Sequence, residues 1–161
     1  MQPFDDETAL ASLMPGRWSV TATNDPVWLS GERRDPVFEY AVLRDRPLTL
    51  STRSEFTEPD GKRKTILGTE HWHGDGFTWR PKGARGLVVR THWEVLGARQ
   101  GLIITRFAKS AVSQGGLAVM IAEGVDGSGL RSVVAADPLS FGLAIPEFAG
   151  LTWFDHVPPL D

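Results

Sequence analysis

Cysteine is missing from this 161-residue chain, so disulfide bridges, thiolate metal centres, a cysteine nucleophile and a lipidated N-terminal cysteine are all excluded. Any metal would fall to His, Asp or Glu. Neither charge sign dominates: 17 Lys and Arg stand against 20 Asp and Glu, for a formal net charge of -3, and the cations are scattered, so no nucleic-acid partner is expected. No apolar run is long enough to span a bilayer, and the first ten residues carry Asp5, Asp6 and Glu7 where a secretory signal needs an unbroken apolar stretch. A cytoplasmic protein with no membrane span is the expectation. A Gly-x-Ser-x-Gly elbow, a phosphate loop and a dinucleotide fingerprint are also absent, which removes several reaction classes and calls for no cofactor.

What is present is a short helix-like leader followed by strand-like runs. Asp5, Asp6 and Glu7 precede Leu10, Leu13 and Met14, and Pro15-Gly16 stops the helix. From Arg17 the period becomes two. Runs at Arg17–Thr23, Val37–Leu43, Leu48–Phe56, Arg63–Trp72, around Phe77 and Trp79, Leu87–Val95, Leu102–Ala108, Leu117–Glu123 and Leu130–Ala136 are separated by turn residues such as Pro59-Asp60-Gly61 and Asp126-Gly127-Ser128-Gly129. Asp137-Pro138 predicts the N-terminus of a short helix near Leu139–Leu143. The fold class expected is all-β: one domain over 1–161, an eight- to nine-stranded antiparallel up-and-down barrel with short helices at both ends. Trp18, at the head of the first strand, would plug the narrow end, and Gly16 would let the entering chain pass close to the ring.

Gly16-Arg17-Trp18 after a leader helix, together with the stretch Ala118–Ser140, resembles the lipocalins of the calycin superfamily. That stretch looks like the last barrel hairpin and the entry to the C-terminal helix of small bacterial lipocalins. The resemblance implies a lipocalin-like barrel that binds a small apolar ligand in its cup, as a carrier or a sequestering protein. A second calycin branch, the nitrobindin-like haem barrels, shares the Gly-x-Trp start; that likeness implies a proximal histidine near the C-terminus, for which His156 is the candidate.

Six tryptophans and eight phenylalanines in one small barrel suit either a filled core or an aromatic-lined pocket. The candidate ligand-binding residues are Trp28, Tyr40, Glu70, Trp79, Trp93 and Arg106, with the loop carrying Trp28 as a gate. Glu70 and Arg106 fall on faces otherwise marked by Ile66, Trp72 and Ile104. Pointing inward together they would anchor a ligand carboxylate, carbonyl or hydroxyl; β-bulges that reverse the faces would leave both on the surface. Glu70, Arg106 and Tyr40 are also the candidates for acid, electrostatic clamp and hydrogen-bond donor in the alternative of a cofactor-independent isomerase or cyclase. His71 and His73, at i and i+2 on a strand, have a spacing that holds a metal and equally suits exposed histidines. A homodimer through an imperfectly closed barrel edge is left open.

Overall fold

The computed structural model describes residues 4–110 and 114–154. Helix α1 (Glu7–Leu13) starts where Asp6 Oδ1 accepts the Ala9 amide at 2.9 Å, with Glu7 in the first turn. So short a helix does not persist alone. Leu10 and Met14, both fully buried, hold it against one end of the barrel. The chain then swings through Gly16, at φ 125°, a backbone state few side chains tolerate, into strand β1 (Gly16–Thr23).

Seven further strands complete the ring: β2 (Arg34–Asp45), β3 (Leu48–Thr57), β4 (Arg63–Trp72), β5 (Phe77–Pro81), β6 (Thr91–Arg99), β7 (Leu102–Phe107) and β8 (Gly116–Ala122). Each pairs antiparallel with the next, and β1 closes the barrel by pairing with both β2 and β8. The expected up-and-down barrel is therefore the observed one. Between β1 and β2 lies the one-turn helix α2 (Pro26–Leu29), and after β8 come α3 (Leu130–Ala136), a 3-10 turn (Pro138–Phe141), α4 (Ile145–Ala149) and a two-residue strand β9 (Thr152–Trp153). Strand β9 pairs with Ala22 and Thr23, beyond the Gly16–Ser19 segment where β2 is paired.

Two apolar layers sit on opposite sides of the barrel wall. Inside, Trp18, Val20, Leu50, Phe77, Val95 and Ile103 belong to one buried cluster with the leader residues Leu10 and Met14. Outside, Ala22, Leu96, Ile104, Val119, Phe141 and Leu143 form a second cluster where the C-terminal segment lies on β6, β7 and β8. Gly97 permits this approach, since a Cβ there would stand 2.8 Å from the Phe141 carbonyl oxygen. Register shifts between Val20 and Ala22 and between Val95 and Gly97 turn the strands so that Ala22 joins the outer layer and Gly97 follows Leu96 to the outer face, opposite Ile104.

Two of the expected strands are corrected. Leu130–Ala136 is helix α3: β8 has already closed on β1, so no barrel edge remains for a ninth wall strand, and Leu130 and Val134, one helical turn apart, pack on the outer layer. The Leu87–Val95 run is strand only from Thr91 on. Ala84–Leu87 is a 3-10 turn in the β5–β6 loop, and Leu87 and Val88 stand 80% and 81% exposed. The helix expected near Leu139–Leu143 is the 3-10 turn Pro138–Phe141, which starts as expected with Asp137 accepting the Ser140 amide.

Candidate ligand-binding cavity

Alternation sends Ile66, Gly68, Glu70 and Trp72 of β4 to the same side of the sheet. At the end of the barrel away from α1 this interior is hollow, with a cavity of about 120 Å³. The Trp28 ring covers it from α2, whose start is held by Asp25 Oδ1 accepting the Val27 amide at 3.1 Å. Trp28 meets Phe38 and Phe56 edge-on, at centroid distances of 6.1 and 6.2 Å, and the Arg33 guanidinium lies 4.4 Å over the Phe56 ring at the rim. Deeper in, Trp93 stacks on Phe77 and Phe107 at 4.7 and 5.7 Å and leans toward Tyr40 at 6.3 Å.

Glu70 lies in this aromatic surround and is only 3% exposed. Its Oε1 accepts the Thr52 hydroxyl at 3.0 Å and its Oε2 accepts the Trp93 indole N–H at 2.8 Å. No described cation forms an ion pair with it. Burial pushes the Glu70 carboxyl up to about 8 against the opposing pull of the Trp93 and Thr52 hydrogen bonds, because a charge loses water there and gains no counter-ion. Burial first, and the Glu70 charge second, also hold the Tyr40 phenol well above its usual range, so it stays protonated. One further polar atom is unusual: the Trp79 indole nitrogen is buried with no hydrogen-bond acceptor among the described residues. It sits over Gly68, where an added Cβ would stand 2.4 Å from that nitrogen and 2.7 Å from the Arg80 carbonyl oxygen.

Five of the residues expected from sequence, Trp28, Tyr40, Glu70, Trp79 and Trp93, line this one cavity. Arg106 does not, and its pairing with Glu70 is corrected. On β7 the inward positions are Ile103, Thr105 and Phe107, so Arg106 points out, bonded to Glu94 at 2.9 Å and to Glu147 of α4. Ile104 misleads because it is fully buried under the C-terminal segment on the outside of the wall. Gly16 and Trp18 lie at the opposite end, where the Trp18 indole N–H donates to the Met14 carbonyl at 2.8 Å. His71 faces outward 3.4 Å from the Thr69 hydroxyl, and His73 borders an outer cleft with Asp75, His92 and Glu94. No group of three metal-type ligands occurs among the described residues. His156 lies outside the described residues, and no described residue of the cavity wall is a histidine.

Thr52 and Phe107 also line the cavity, and Gly68 lies against the Trp79 ring. Thr52 was readable, since it alternates with Leu50, Ser54 and Phe56 on one strand face. Gly68 was not, because its role depends on which ring crosses it.

By sequence, no family model and no curated protein matches this chain. By structure it is similar to lobster apocrustacyanin A1, with a TM-score of 0.61 at 10% identity over 95% of this chain and 87% of that one. The amine binding protein of Rhodnius prolixus, solved as its tryptamine complex, has a TM-score of 0.61 at 13% identity over 95% of this chain and 82% of that one. The siderocalin Ex-FABP has a TM-score of 0.55 at 11% identity over 91% and 96%. At such identities the likeness is one of fold, and that fold is lipocalin-like, of the calycin type.

Proposed function

We propose that this lipocalin-like barrel holds one compact, largely apolar molecule in its cup, as a carrier or sequestering protein. The observation that carries the reading is an aromatic-walled cavity, lined by Trp28, Tyr40, Trp79 and Trp93, with a buried carboxyl, Glu70, on its wall. Apolar burial provides most of the affinity: a ligand hiding ~200 Å² gains about 5 kcal/mol before ordering costs. The Glu70 carboxyl sets orientation, since a guest that hydrogen-bonds to it gains about 1 kcal/mol over one that does not. The volume of about 120 Å³ is close to that of an engineered cavity, about 150 Å³, that binds benzene. The expected ligand is therefore the size of one ring with a short substituent, and anything larger requires α2 to swing away. The tryptamine complex of the Rhodnius prolixus protein gives an example of a small aromatic guest in the same fold.

Native mass spectrometry of the freshly purified protein, set against its denatured mass, tests this: an adduct of roughly 100–200 Da lost on denaturation is expected from the cavity size. Indole added to an empty preparation should shift the tryptophan fluorescence saturably. Gly68→Ala should weaken indole at least tenfold in the same titration, because the new methyl group pushes the Trp79 ring into the cavity. Unchanged affinity would place the guest elsewhere.

A second reading, a cofactor-independent enzyme, is favoured by one observation: with its carboxyl raised to about 8, Glu70 is a proton donor at neutral pH beside the protonated Tyr40 phenol. Arg106 takes no part in it. In an enzyme Glu70→Gln abolishes turnover, whereas in a carrier it leaves uncharged guests bound.

A further inference from the structure

We infer that the guest of this cavity is a small aromatic or alkyl ammonium ion, its cationic head on Glu70 and its apolar body among the surrounding rings. The inference rests on the proposed binding role and adds the charge of the ligand to it.

The first argument is a count of partners. A carboxylate has about four acceptor positions, and the protein fills two of those on Glu70, one from Thr52 and one from Trp93. The Trp93 bond is informative, because an indole N–H only donates and so favours the carboxylate form. The remaining acceptor positions have no hydrogen bond among those described, Glu70 lines the cavity, and the several N–H donors of an ammonium group match them.

The second argument is the sign of the site. The charged or titratable side chains on the cavity wall are Glu70 on β4, Asp25 at the start of α2, Tyr40 on β2 and Arg33 at the rim. Strands β3, β5, β6 and β7 contribute no charged side chain to it among the described residues. Arg33 lies over Phe56 at the mouth and forms no ion pair with Glu70. An anionic guest holds Glu70 to its neutral form, whereas an ammonium guest supplies the counter-ion that the ionised carboxyl lacks and lies within a wall of aromatic rings. A neutral guest fills the space and leaves Glu70 protonated and uncharged.

Binding then displaces a proton. In the empty protein Glu70 titrates at about 8 and is mostly protonated at pH 7, so an ammonium guest that needs the carboxylate expels about one proton to the buffer.

The test uses the intact protein and 2-phenylethylamine, with n-propylbenzene as its uncharged isostere and phenylacetate as an anion, by calorimetry in two buffers of different ionisation enthalpy. The amine should bind at least tenfold more tightly than n-propylbenzene at pH 7, releasing about one proton, and phenylacetate should not bind. Between pH 7 and pH 9 the amine affinity should rise about tenfold as Glu70 ionises. Glu70→Gln should lose at least tenfold in amine affinity and abolish proton release while holding n-propylbenzene within about threefold. If n-propylbenzene binds as well as the amine, or the amine binds without proton release, the cationic assignment falls and the apolar cavity stands. If neither binds, the binding role itself falls.

Discussion

Glu70→Gln should melt higher than the unsubstituted protein at pH 8, by roughly 5–10 °C, the scale set by a few kcal/mol in a chain of this length. The substitution keeps the side-chain shape, with the amide oxygen placed to accept the Trp93 N–H and the amide NH2 to donate to the Thr52 hydroxyl, which accepts as well as it donates. What it removes is an ionisation. In the fold Glu70 titrates at about 8, against 4.5 for an ordinary glutamate. Below pH 4.5 the carboxyl is neutral in both states and costs nothing. Above it the unfolded chain ionises freely while the folded one holds its proton, so stability declines with each pH unit until the folded carboxyl ionises near pH 8. A few kcal/mol are lost across that window, at about 1.4 kcal/mol per unit. Melting curves from pH 5 to pH 9 check it: the advantage of Glu70→Gln should grow through the window and shrink toward pH 5. A constant difference would mean that the carboxyl is solvated or ion-paired after all. A binding site that lowers stability in this way is the expected cost of burying a carboxyl without a counter-ion.

Trp18→Ala should have the opposite sign and a similar or larger size. The ring is 2% exposed and belongs to the interior cluster that also includes Leu10 and Met14 of the leader helix. Its N–H satisfies the Met14 carbonyl, at the C-terminus of α1, at 2.8 Å. Truncation removes the ring, opens a cavity at the closed end and orphans that carbonyl, for about 3–5 kcal/mol. Trp18→Phe separates the parts: it keeps most of the ring and should cost about 1–2 kcal/mol, mainly through the lost hydrogen bond and the smaller volume. Urea unfolding of both variants measures the difference. A loss below about 1 kcal/mol for Trp18→Ala would show that the leader helix does not depend on this ring.

The barrel was legible because its causes are local. Alternation at Leu48–Phe56 and Arg63–Trp72, turn chemistry at Pro59-Asp60-Gly61 and a stop at Pro15-Gly16 each act within a few residues. The same logic gave Tyr40, Trp79 and Trp93 to a core or a pocket, and it left Glu70 open between the cavity and the surface. It failed at Arg106 and at Leu130–Ala136. In both places an apolar neighbour is buried by something outside the wall: Ile104 and Val134 belong to the cluster of Phe141 and Leu143. A period of two says that two faces differ, and it does not say which of them is the inside when both are covered.

Sequence alone determined the class of fold, the leader helix and its stop, the Trp18 position and the absence of thiol chemistry, all of which depend on residue type and short-range spacing. Tertiary structure alone decided that Glu70 faces the cavity with Thr52 and Trp93 as its partners, that Arg106 serves the outer surface with Glu94 and Glu147, and that Trp79 keeps an unpaired N–H over Gly68. These depend on strand register, on two bulges and on where the C-terminal segment lies. A one-residue shift in any of them exchanges inside for outside, and the free energy that selects the register is spread over the whole closed barrel.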